Sequence, residues 1–279
     1  MSESIRSFIV SRRSELAESL GDEHGAEFEL RLMLAHVLKV SKISFFDMNS
    51  ELRDSDLKCL DSMVMRRLAH EPLQYILGEW EFMGQRFYVN ENVLIPRQDT
   101  ETLAEIAEST INKYGFRSLL DICTGSGCIG ISVAKRTGIA ATLSDISVSA
   151  LKTAERNALL NDVPFAIVKS DMFRDIVGRF DVITANPPYI ESSICNSLQK
   201  EVQFEPRIAL DGGDDGLKYY RIIRKDFMTH LMPNGILIME IGYNQGESVP
   251  DLFADLGEVN VYKDLCGNDR VVTVKLKTE

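Results

Sequence analysis

The apolar residues of the first 77 positions recur at the spacing of α-helices. One stripe runs from Ile5 to Leu20 and precedes Gly21, a residue type that often ends helices. Three further stripes follow, and Ser55 stands where its side chain could cap the last of them. Since no stretch alternates apolar and polar residues as a strand does, residues 1–77 are predicted to form a small helical bundle.

Residues 78–97 show a different pattern, which predicts a β-hairpin. Two runs rich in aromatic residues flank Met83-Gly84-Gln85, and such runs around a short glycine turn are typical of paired antiparallel strands. The hairpin is expected to link the bundle to a larger domain at residues 98–279. The first helix of that domain should begin near Asp99 or Thr100.

From Arg117 onward, apolar strand-like runs alternate with helical stripes. This order predicts an α/β fold in which a mostly parallel sheet carries helices on both faces. The expected strands are Ser118–Cys123, Ala140–Ser144, Phe165–Lys169, Phe180–Ala185 and Ile236–Ile241, and the expected helices are Cys128–Arg136, Val148–Asn161 and Leu217–Leu231.

The last two strand-like runs break this order. Val259–Asp264 and Arg270–Leu276 are joined by Cys266–Asp269, which is too short for the crossover that parallel strands require. The sheet is therefore predicted to end in an antiparallel hairpin.

The composition argues against several classes of protein. With 44% hydrophobic and 26% charged residues, the 279-residue chain can bury a core, and no apolar run reaches the length of a membrane span. The first residues lack the apolar core of a signal peptide, so a cytoplasmic protein with no membrane partner is expected. The net charge of −11 argues against direct nucleic-acid binding, because gripping the phosphate backbone needs a basic surface.

Cysteine and histidine give no sign of a metal site. The five cysteines are odd in number and form no C-x-x-C pair, while the four histidines are scattered without the spacing of metal ligands. We therefore expect free thiols in a reducing compartment and no metal cofactor.

The most specific polar motif is Asn186-Pro187-Pro188-Tyr189, which directly follows the strand-like run Phe180–Ala185. Proline cannot continue a central strand, and the residue before a proline is held extended, so the strand should end in a stiff turn at Asn186. In open α/β sheets this edge carries the ligands. The Asn186 amide and the Pro187 carbonyl could hold a planar group that bears an NH2, with the ring of Tyr189 beside it. A plain structural turn is the alternative reading.

A glycine-rich loop lies between the first strand and its helix. Gly125, Gly127 and Gly130 match the G-x-G-x-x-G fingerprint, and Asp145 follows about twenty residues later at the end of the next strand, where a carboxylate can accept both hydroxyl groups of a ribose. Taken alone, this pattern leaves a nicotinamide-dependent dehydrogenase and an S-adenosylmethionine enzyme both open.

Two further acidic residues favour S-adenosylmethionine. Asp121 lies inside the first strand, where a carboxylate could face the cationic amino group of this cofactor, whereas a pyrophosphate offers no cation. Asp171 ends the third strand and could accept from an adenine amine while Met172 packs on the ring. The residues predicted to bind the cofactor are Asp121, Cys123, Thr124, Gly125, Ser126, Gly127, Asp145, Asp171, Met172 and Asn186.

The chain resembles the HemK-like peptide chain release factor glutamine N5-methyltransferases over roughly residues 70–276. The likeness is carried by Gln74–Trp80, Ile95-Pro96-Arg97, Thr100-Glu101, the 121–130 loop, Asn186-Pro187-Pro188-Tyr189, Glu205-Pro206, Ala209-Leu210, Gly212-Gly213, Asp215-Gly216-Leu217 and Gly267–Arg270. The implied fold is a class I S-adenosylmethionine-dependent methyltransferase, whose Rossmann-like sheet ends in an antiparallel hairpin. A helical bundle for recognition of the release factor and a linking hairpin would precede it.

The resemblance also implies a reaction and a substrate. The enzyme would methylate the glutamine of the Gly-Gly-Gln motif of class 1 release factors, acting as a monomer and yielding S-adenosylhomocysteine. Asn186 and the Pro187 carbonyl would receive the glutamine amide, with Pro188 and Tyr189 completing the substrate site. Cys123 stands where the family usually has glycine, and Gln98 replaces a usual proline.

Two other substrates stay open. One is a glutamine of a ribosomal protein, and the other is an amino group of a nucleic-acid base, which the same motif would suit but the acidic charge disfavours.

Overall fold

The computed structural model describes residues 3–277, which form two compact units. The described residues of Met1–Gly78 together with Lys200–Phe204 make the first unit, and those of Glu79–Gln199 together with Glu205–Glu279 make the second. None of the helices within residues 3–277 has the length and hydropathy that a membrane span requires.

The first unit is a helical bundle, as the apolar stripes predict. Its helices are α1 (Ile5–Leu20), α2 (Glu23–Leu38), α3 (Asp54–Leu68) and α4 (Leu73–Leu77). Their inward faces form one apolar core, and Gly21 ends α1 with a positive φ of 69°.

Two local expectations for the helical unit are wrong. α3 begins at Asp54 after Arg53, and no side chain caps it, so Ser55 lies inside the helix. Two short strands, β1 (Glu3–Ser4) and β2 (Glu51–Leu52), pair antiparallel in a region where no strand was expected. A two-residue pair is too short to produce a visible alternation in the sequence.

The hairpin between the helices and the sheet forms as predicted. β3 (Glu79–Phe82) pairs antiparallel with β4 (Gln85–Tyr88), and the turn residues Met83 and Gly84 both have positive φ. The next helix, α5 (Glu101–Tyr114), follows a single 3-10 turn. The backbone N–H of Met83 donates to Glu101 at 2.6 Å, which ties the hairpin to the first turn of α5.

The second unit contains a seven-stranded sheet of order β10-β11-β9-β8-β5-β6-β7. The central five strands pair parallel, whereas β11 pairs antiparallel with both β9 and β10, so the predicted terminal hairpin is confirmed. The strands are β5 (Ser118–Ile122), β6 (Ala140–Asp145), β7 (Phe165–Lys169), β8 (Phe180–Ala185), β9 (Leu231–Glu240), β10 (Gly257–Lys263) and β11 (Asp269–Leu276).

Helices cover both faces of this sheet. They are α6 (Cys128–Thr137), α7 (Val148–Leu160), α8 (Lys218–Asp226) and α9 (Ser248–Phe253). Alternate residues of one strand face opposite cores: Val182 of β8 packs with α5, α6 and α7, and Ile183 packs with α8 and α9. This period-2 alternation explains why the central strands read as continuous apolar runs.

Two element boundaries differ from the sequence prediction by more than two residues, and one helix is additional. β9 starts five residues before Ile236, α8 ends at Asp226 well before Leu231, and α9 was not expected. The segment Leu231–Gly235 contains proline and glycine, which read as a loop; of this segment only Leu231 pairs with β8, opposite Phe180, and the register shifts before Ile236. Tertiary pairing therefore extends the strand beyond its local signal.

Candidate active site

One pocket lies at the carboxyl ends of the parallel strands in the second unit. Segments that follow four neighbouring strands line it: the glycine loop after β5, Asp145 at the end of β6, Asp171 after β7 and Asn186 after β8. These residues are far apart in sequence and meet because parallel strands end at the same edge of a sheet.

The glycine loop leaves room for a ligand on one side and packs tightly on the other. Gly125 has a φ of 55°, and a Cβ placed on it would meet nothing within 4 Å. A Cβ on Gly127 would instead lie 2.6 Å from Ile131 Cδ1 in α6. The first glycine therefore exposes its backbone to the pocket, and the second permits close packing of the loop on the helix.

Asp145 lies at the pocket wall with its carboxylate held by two backbone groups. Its Oδ2 accepts from the Gly125 N–H and its Oδ1 from the Ser147 N–H, each at 2.9 Å. Burial raises the pKa of Asp145 above its usual value, although these backbone donors oppose the shift. The side chain is thus preorganised between the glycine loop and the start of α7.

Asp121 is fully buried in β5 and organises the loop from behind. Its Oδ2 accepts from Thr124 Oγ1 at 2.5 Å and from the Gly130 N–H at 3.2 Å, while its Oδ1 accepts from Thr184 Oγ1 at 2.7 Å. Burial raises the pKa of this carboxyl group to about 6. Asp121 is not among the pocket-lining residues, so its predicted pairing with a cationic ligand group stays a prediction.

Cys123 and Met172 meet at the pocket. Both have positive φ values, 55° and 53°, and the two sulfur atoms lie 3.8 Å apart. Met172 is buried, and the neighbouring Asp171 is exposed and pairs weakly with Arg174 at 4.0 Å. The structure thus brings Asp171 and Met172 to the pocket together, with an apolar surface beside an exposed carboxylate.

Some residues of the turn Asn186–Tyr189 line the pocket, and others lie in the core. Asn186 and Pro188 line the pocket, and the Asn186 side chain makes no hydrogen bond within the described residues. Pro187 is buried beside them. Tyr189 does not line the pocket: its ring packs against the core under α8 and α9, and its hydroxyl group donates to Glu240 Oε1 at 3.2 Å.

A second layer of buried groups holds this turn in place. The Gln245 side chain donates to the carbonyl groups of Tyr189 at 3.3 Å and Gly216 at 3.2 Å. Tyr220 donates its hydroxyl hydrogen to the Glu240 carbonyl at 2.8 Å. The turn is therefore fixed by contacts with α8 and with the segments on either side of it, in addition to its two prolines.

The sequence reasoning left out part of the pocket wall. Pro96, Arg97, Thr100, Pro206 and Tyr219 all line it, yet none was proposed as a site residue. Ile95-Pro96-Arg97, Thr100-Glu101 and Glu205-Pro206 carried the family resemblance, and that signal could have marked them.

Glu205 joins two of these wall segments. Its side chain is almost completely buried, accepts from the Ile95 N–H at 2.9 Å and pairs with the guanidinium group of Arg97. Burial raises the pKa of Glu205. The segments around residues 95–97 and 205–209 are thereby tied together at the pocket mouth.

Two family models match this chain. The description "PrmC N-terminal domain" covers residues 13–78, and "Methyltransferase small domain" covers residues 99–202. The first match lies in the helical unit and the second spans β5 to β8 with the pocket.

Curated relatives match nearly the whole chain. A release factor glutamine methyltransferase of Thermodesulfovibrio yellowstonii is 37% identical, covering 88% of this chain and 91% of that protein. One of Geobacter sulfurreducens is also 37% identical, covering 96% and 95%. A "Bifunctional methyltransferase" of Rickettsia typhi is 36% identical over 89% of this chain, which corresponds to 53% of that longer protein.

Solved structures share the fold at low sequence identity. The hMettl16 catalytic domain, solved in complex with the MAT2A 3'UTR hairpin 1, has a TM-score of 0.58 at 13% identity and covers 90% of this chain and 91% of that one. The T. thermophilus 16S rRNA N2 G1207 methyltransferase, in complex with AdoMet and guanosine, has a TM-score of 0.52 at 16% identity, covering 71% and 50%. The predicted Rossmann-like methyltransferase fold is confirmed.

Proposed function

Because this chain belongs to the release factor glutamine methyltransferase family, we propose that it methylates the side-chain nitrogen of the glutamine in the Gly-Gly-Gln motif of class 1 release factors, in the cytoplasm. The methyl donor would be S-adenosylmethionine. The observation that carries the proposal is the presence of Asn186 and the glycine loop in one pocket. A site for an amide-bearing substrate and a site for a nucleoside cofactor thus adjoin each other.

The residues of the pocket fit S-adenosylmethionine. Gly125 presents open backbone, and the buried hydroxyl group of Ser126 has no hydrogen-bond partner among the described residues, as expected for a group that awaits a ligand. Asp145 would hold the ribose hydroxyl groups, and Asp171 with Met172 would hold the adenine. When bound, the cofactor supplies a methyl group already activated on a sulfonium.

The chemical difficulty lies in the nucleophile, because the lone pair of an amide nitrogen is delocalised into its carbonyl group. The Asn186 side-chain oxygen and the Pro187 carbonyl would accept the two amide hydrogens. This would align the nitrogen and favour the positive charge that develops on it. The stiff turn, held by Gln245 and Glu240 from behind, supports such preorganisation.

The assay that tests this proposal uses purified protein, S-adenosylmethionine and three candidate acceptors: an unmethylated class 1 release factor, ribosomal proteins and a mixed-sequence oligonucleotide. Mass spectrometry of tryptic peptides should locate one added methyl group on the Gly-Gly-Gln glutamine. Methylation of a ribosomal protein or of the oligonucleotide, with none on the release factor, would refute the proposal in favour of another acceptor.

Two variants test the assigned roles. Asn186→Ala should abolish methyl transfer with little change in folding, because this side chain bonds no other described residue. Asp145→Ala should weaken cofactor binding in calorimetry. Unchanged methylation in the first variant or unchanged affinity in the second would show that the respective role is misassigned.

We also propose that the helical unit recognises the release factor outside the Gly-Gly-Gln loop. The match of residues 13–78 to the PrmC N-terminal domain supports this role. Methylation of the whole release factor should then have a kcat/KM more than about 100-fold above that of a short Gly-Gly-Gln peptide, since extra contacts add binding energy. Equal values for the two substrates would contradict it.

A further inference from the structure

Two unsatisfied buried oxygens lie behind the turn Asn186–Tyr189. Thr100 and Glu240 are each 2% exposed, and neither Thr100 Oγ1 nor Glu240 Oε2 has a hydrogen-bond partner among the described residues. Such groups are rare in folded proteins because desolvation without a partner costs about 1–3 kcal/mol each. The reaction proposed above uses Glu240 Oε1 to hold the turn, but it gives no role to Thr100 Oγ1 or to Glu240 Oε2.

The two residues lie near each other, because Asp99, which precedes Thr100, pairs with Arg270 at 3.1 Å, and Val271, which follows Arg270, pairs with Glu240 across β11 and β9. The Thr100 hydroxyl group lies close enough to Glu240 to lower the pKa of that carboxyl group. The other carboxylate oxygen of Glu240 accepts from Tyr189, which belongs to the same turn as Asn186. Thr100 also lines the pocket whereas Glu240 does not, so the hydroxyl group connects the pocket with a carboxylate that solvent does not reach.

Methylation of an amide creates a need for a proton acceptor. As the nitrogen–carbon bond forms and the sulfur–carbon bond of the sulfonium breaks, the nitrogen is left with a methyl group and two hydrogens and carries a positive charge. One proton must leave to give the neutral N-methylamide. The oxygens of Asn186 and Pro187 hold these hydrogens but are amide oxygens, which are very weak bases.

We propose that Thr100 and Glu240 form the route by which this proton leaves. One of the two protons on the nitrogen leaves its hydrogen bond to an amide oxygen and passes to Thr100 Oγ1, and the hydroxyl proton of Thr100 passes to Glu240 Oε2, which becomes a neutral carboxylic acid. Glu240 loses the proton to solvent after product release. This step rests on the proposed function, since it presupposes a carboxamide next to Asn186.

The surroundings of Glu240 suit a carboxylate that takes up a proton and returns it. Burial raises its pKa, which makes it a better base than an exposed glutamate, whereas the nearby Arg270 opposes this shift. The negative charge of Asp99 also raises the pKa of Glu240. The titratable and charged groups that influence or contact Glu240 are Asp99, Cys128, Tyr189, Tyr220 and Arg270.

Single-turnover methyl transfer to the release factor tests the route, because it isolates the chemical step. Thr100→Val removes the hydroxyl group at nearly constant volume and should slow the step by about 100-fold, the usual worth of a positioned acid or base. Thr100→Ser should restore most of the lost rate. Cofactor affinity, measured by calorimetry, should be the same in all three proteins.

Ser132→Ala is the matched control. Ser132 is also buried in the second unit with an unpartnered hydroxyl group, but it lies in α6 and does not line the pocket. Its loss should leave the rate unchanged. A Thr100→Val rate within twofold of wild type would overturn the proposal, and so would equal slowing by Ser132→Ala.

The pH dependence gives a second, independent readout. The ratio of the wild-type rate to the Glu240→Gln rate should be largest at high pH and approach one as the pH falls below the pKa of Glu240. A ratio that does not change with pH would overturn the proposal. If Glu240→Gln does not fold, the single-turnover rates of the Thr100 variants alone test the proposal. A wild-type protein that never labels the release factor would instead defeat the proposed function.

Discussion

Cys123 occupies a backbone conformation that residues other than glycine seldom adopt. Its φ is 55°, in the left-handed region where a Cβ crowds the following carbonyl group. The sulfur atom of Cys123 contacts that of Met172.

Replacing Cys123 by glycine should raise the free energy of unfolding by about 1 kcal/mol, because it relieves this strain. The measurement is urea denaturation. The control is Cys59→Gly in α3, where φ is helical and glycine should lower the free energy of unfolding by about 1 kcal/mol. Equal losses in both variants would show that Cys123 is not strained.

Because its pKa is raised, Asp121 makes the free energy of unfolding fall as the pH rises, which is the reverse of the effect of a carboxyl group whose pKa is lowered by folding. Its folded pKa is about 6, above the unfolded value of roughly 4, so the folded protein binds more protons between these two values. The stabilisation is fully present below about pH 4 and is lost as the pH rises through 6. The resulting loss in the free energy of unfolding is about 3 kcal/mol at most.

Asp121→Asn should remove this component, since an amide does not titrate there. Measured by urea denaturation across pH 4 to 7, the stability of the wild type relative to the variant should fall with rising pH. Carboxyl groups that do not interact with Asp121 titrate equally in both proteins and cancel. A difference that stays flat across the range would contradict a raised pKa for Asp121.

At the scale of elements, the position of the Asn186–Tyr189 turn depends on glycines that follow it in the chain. Gly212 and Gly216 pack directly on the backbone of Pro188 and Tyr189, where no Cβ would fit. Ile190 also bonds the backbone at Leu210 and Gly212, so the chain after the turn pairs with the segment before α8. The Asn186–Tyr189 turn is therefore packed against the backbone of residues 210–216.

Gly216→Ala should displace this turn and reduce methyl transfer at least about tenfold, because a Cβ would collide with the Tyr189 carbonyl. Gly138→Ala is the control: this glycine ends α6 with a φ of 75° and open space around it. Both variants should lose about 1 kcal/mol of stability from the positive φ, but only Gly216→Ala should lose activity in the release-factor assay. Equal activity in the two variants would contradict the packing argument.

At the scale of the whole molecule, the chain leaves the helical unit at Gly78 and returns to it for Lys200–Phe204. A buried ion cluster fixes this return within the helical unit. Arg67 is 6% exposed and pairs with Glu29 at 2.7 Å and with Glu201 at 3.0 Å. The residue that follows the returning segment, Glu205, is buried at the pocket of the second unit.

Arg67→Met should lower the free energy of unfolding by about 3 kcal/mol, because removal of a buried partner leaves two carboxylates without their cation. Arg53→Met is the control, since the Arg53 side chain is 77% exposed and its pair with Asp56 should contribute less than about 1 kcal/mol. Chemical denaturation compares the two. If Arg67→Met unfolds at the same denaturant concentration as Arg53→Met, the cluster is not stabilising.

The sequence by itself determined the order and type of most elements and the location of the motifs. Repeating apolar positions mark helices and strands, and short signals such as Gly125-x-Gly127 or Asn186-Pro187-Pro188 act on the backbone nearby. Because the strands are parallel, their ends must meet at one edge, so the part of the pocket that the segments after β5, β6, β7 and β8 form was predictable from local patterns alone.

Only the tertiary structure decided where individual side chains point. It turned Tyr189 toward Glu240, enclosed Asp121 among Thr124, Thr184 and Gly130, and placed Thr100 next to a glutamate 140 residues further along the chain. The physical reason is that burial and hydrogen-bond partners depend on elements distant in sequence, which leave no periodic trace in the segment they pack against.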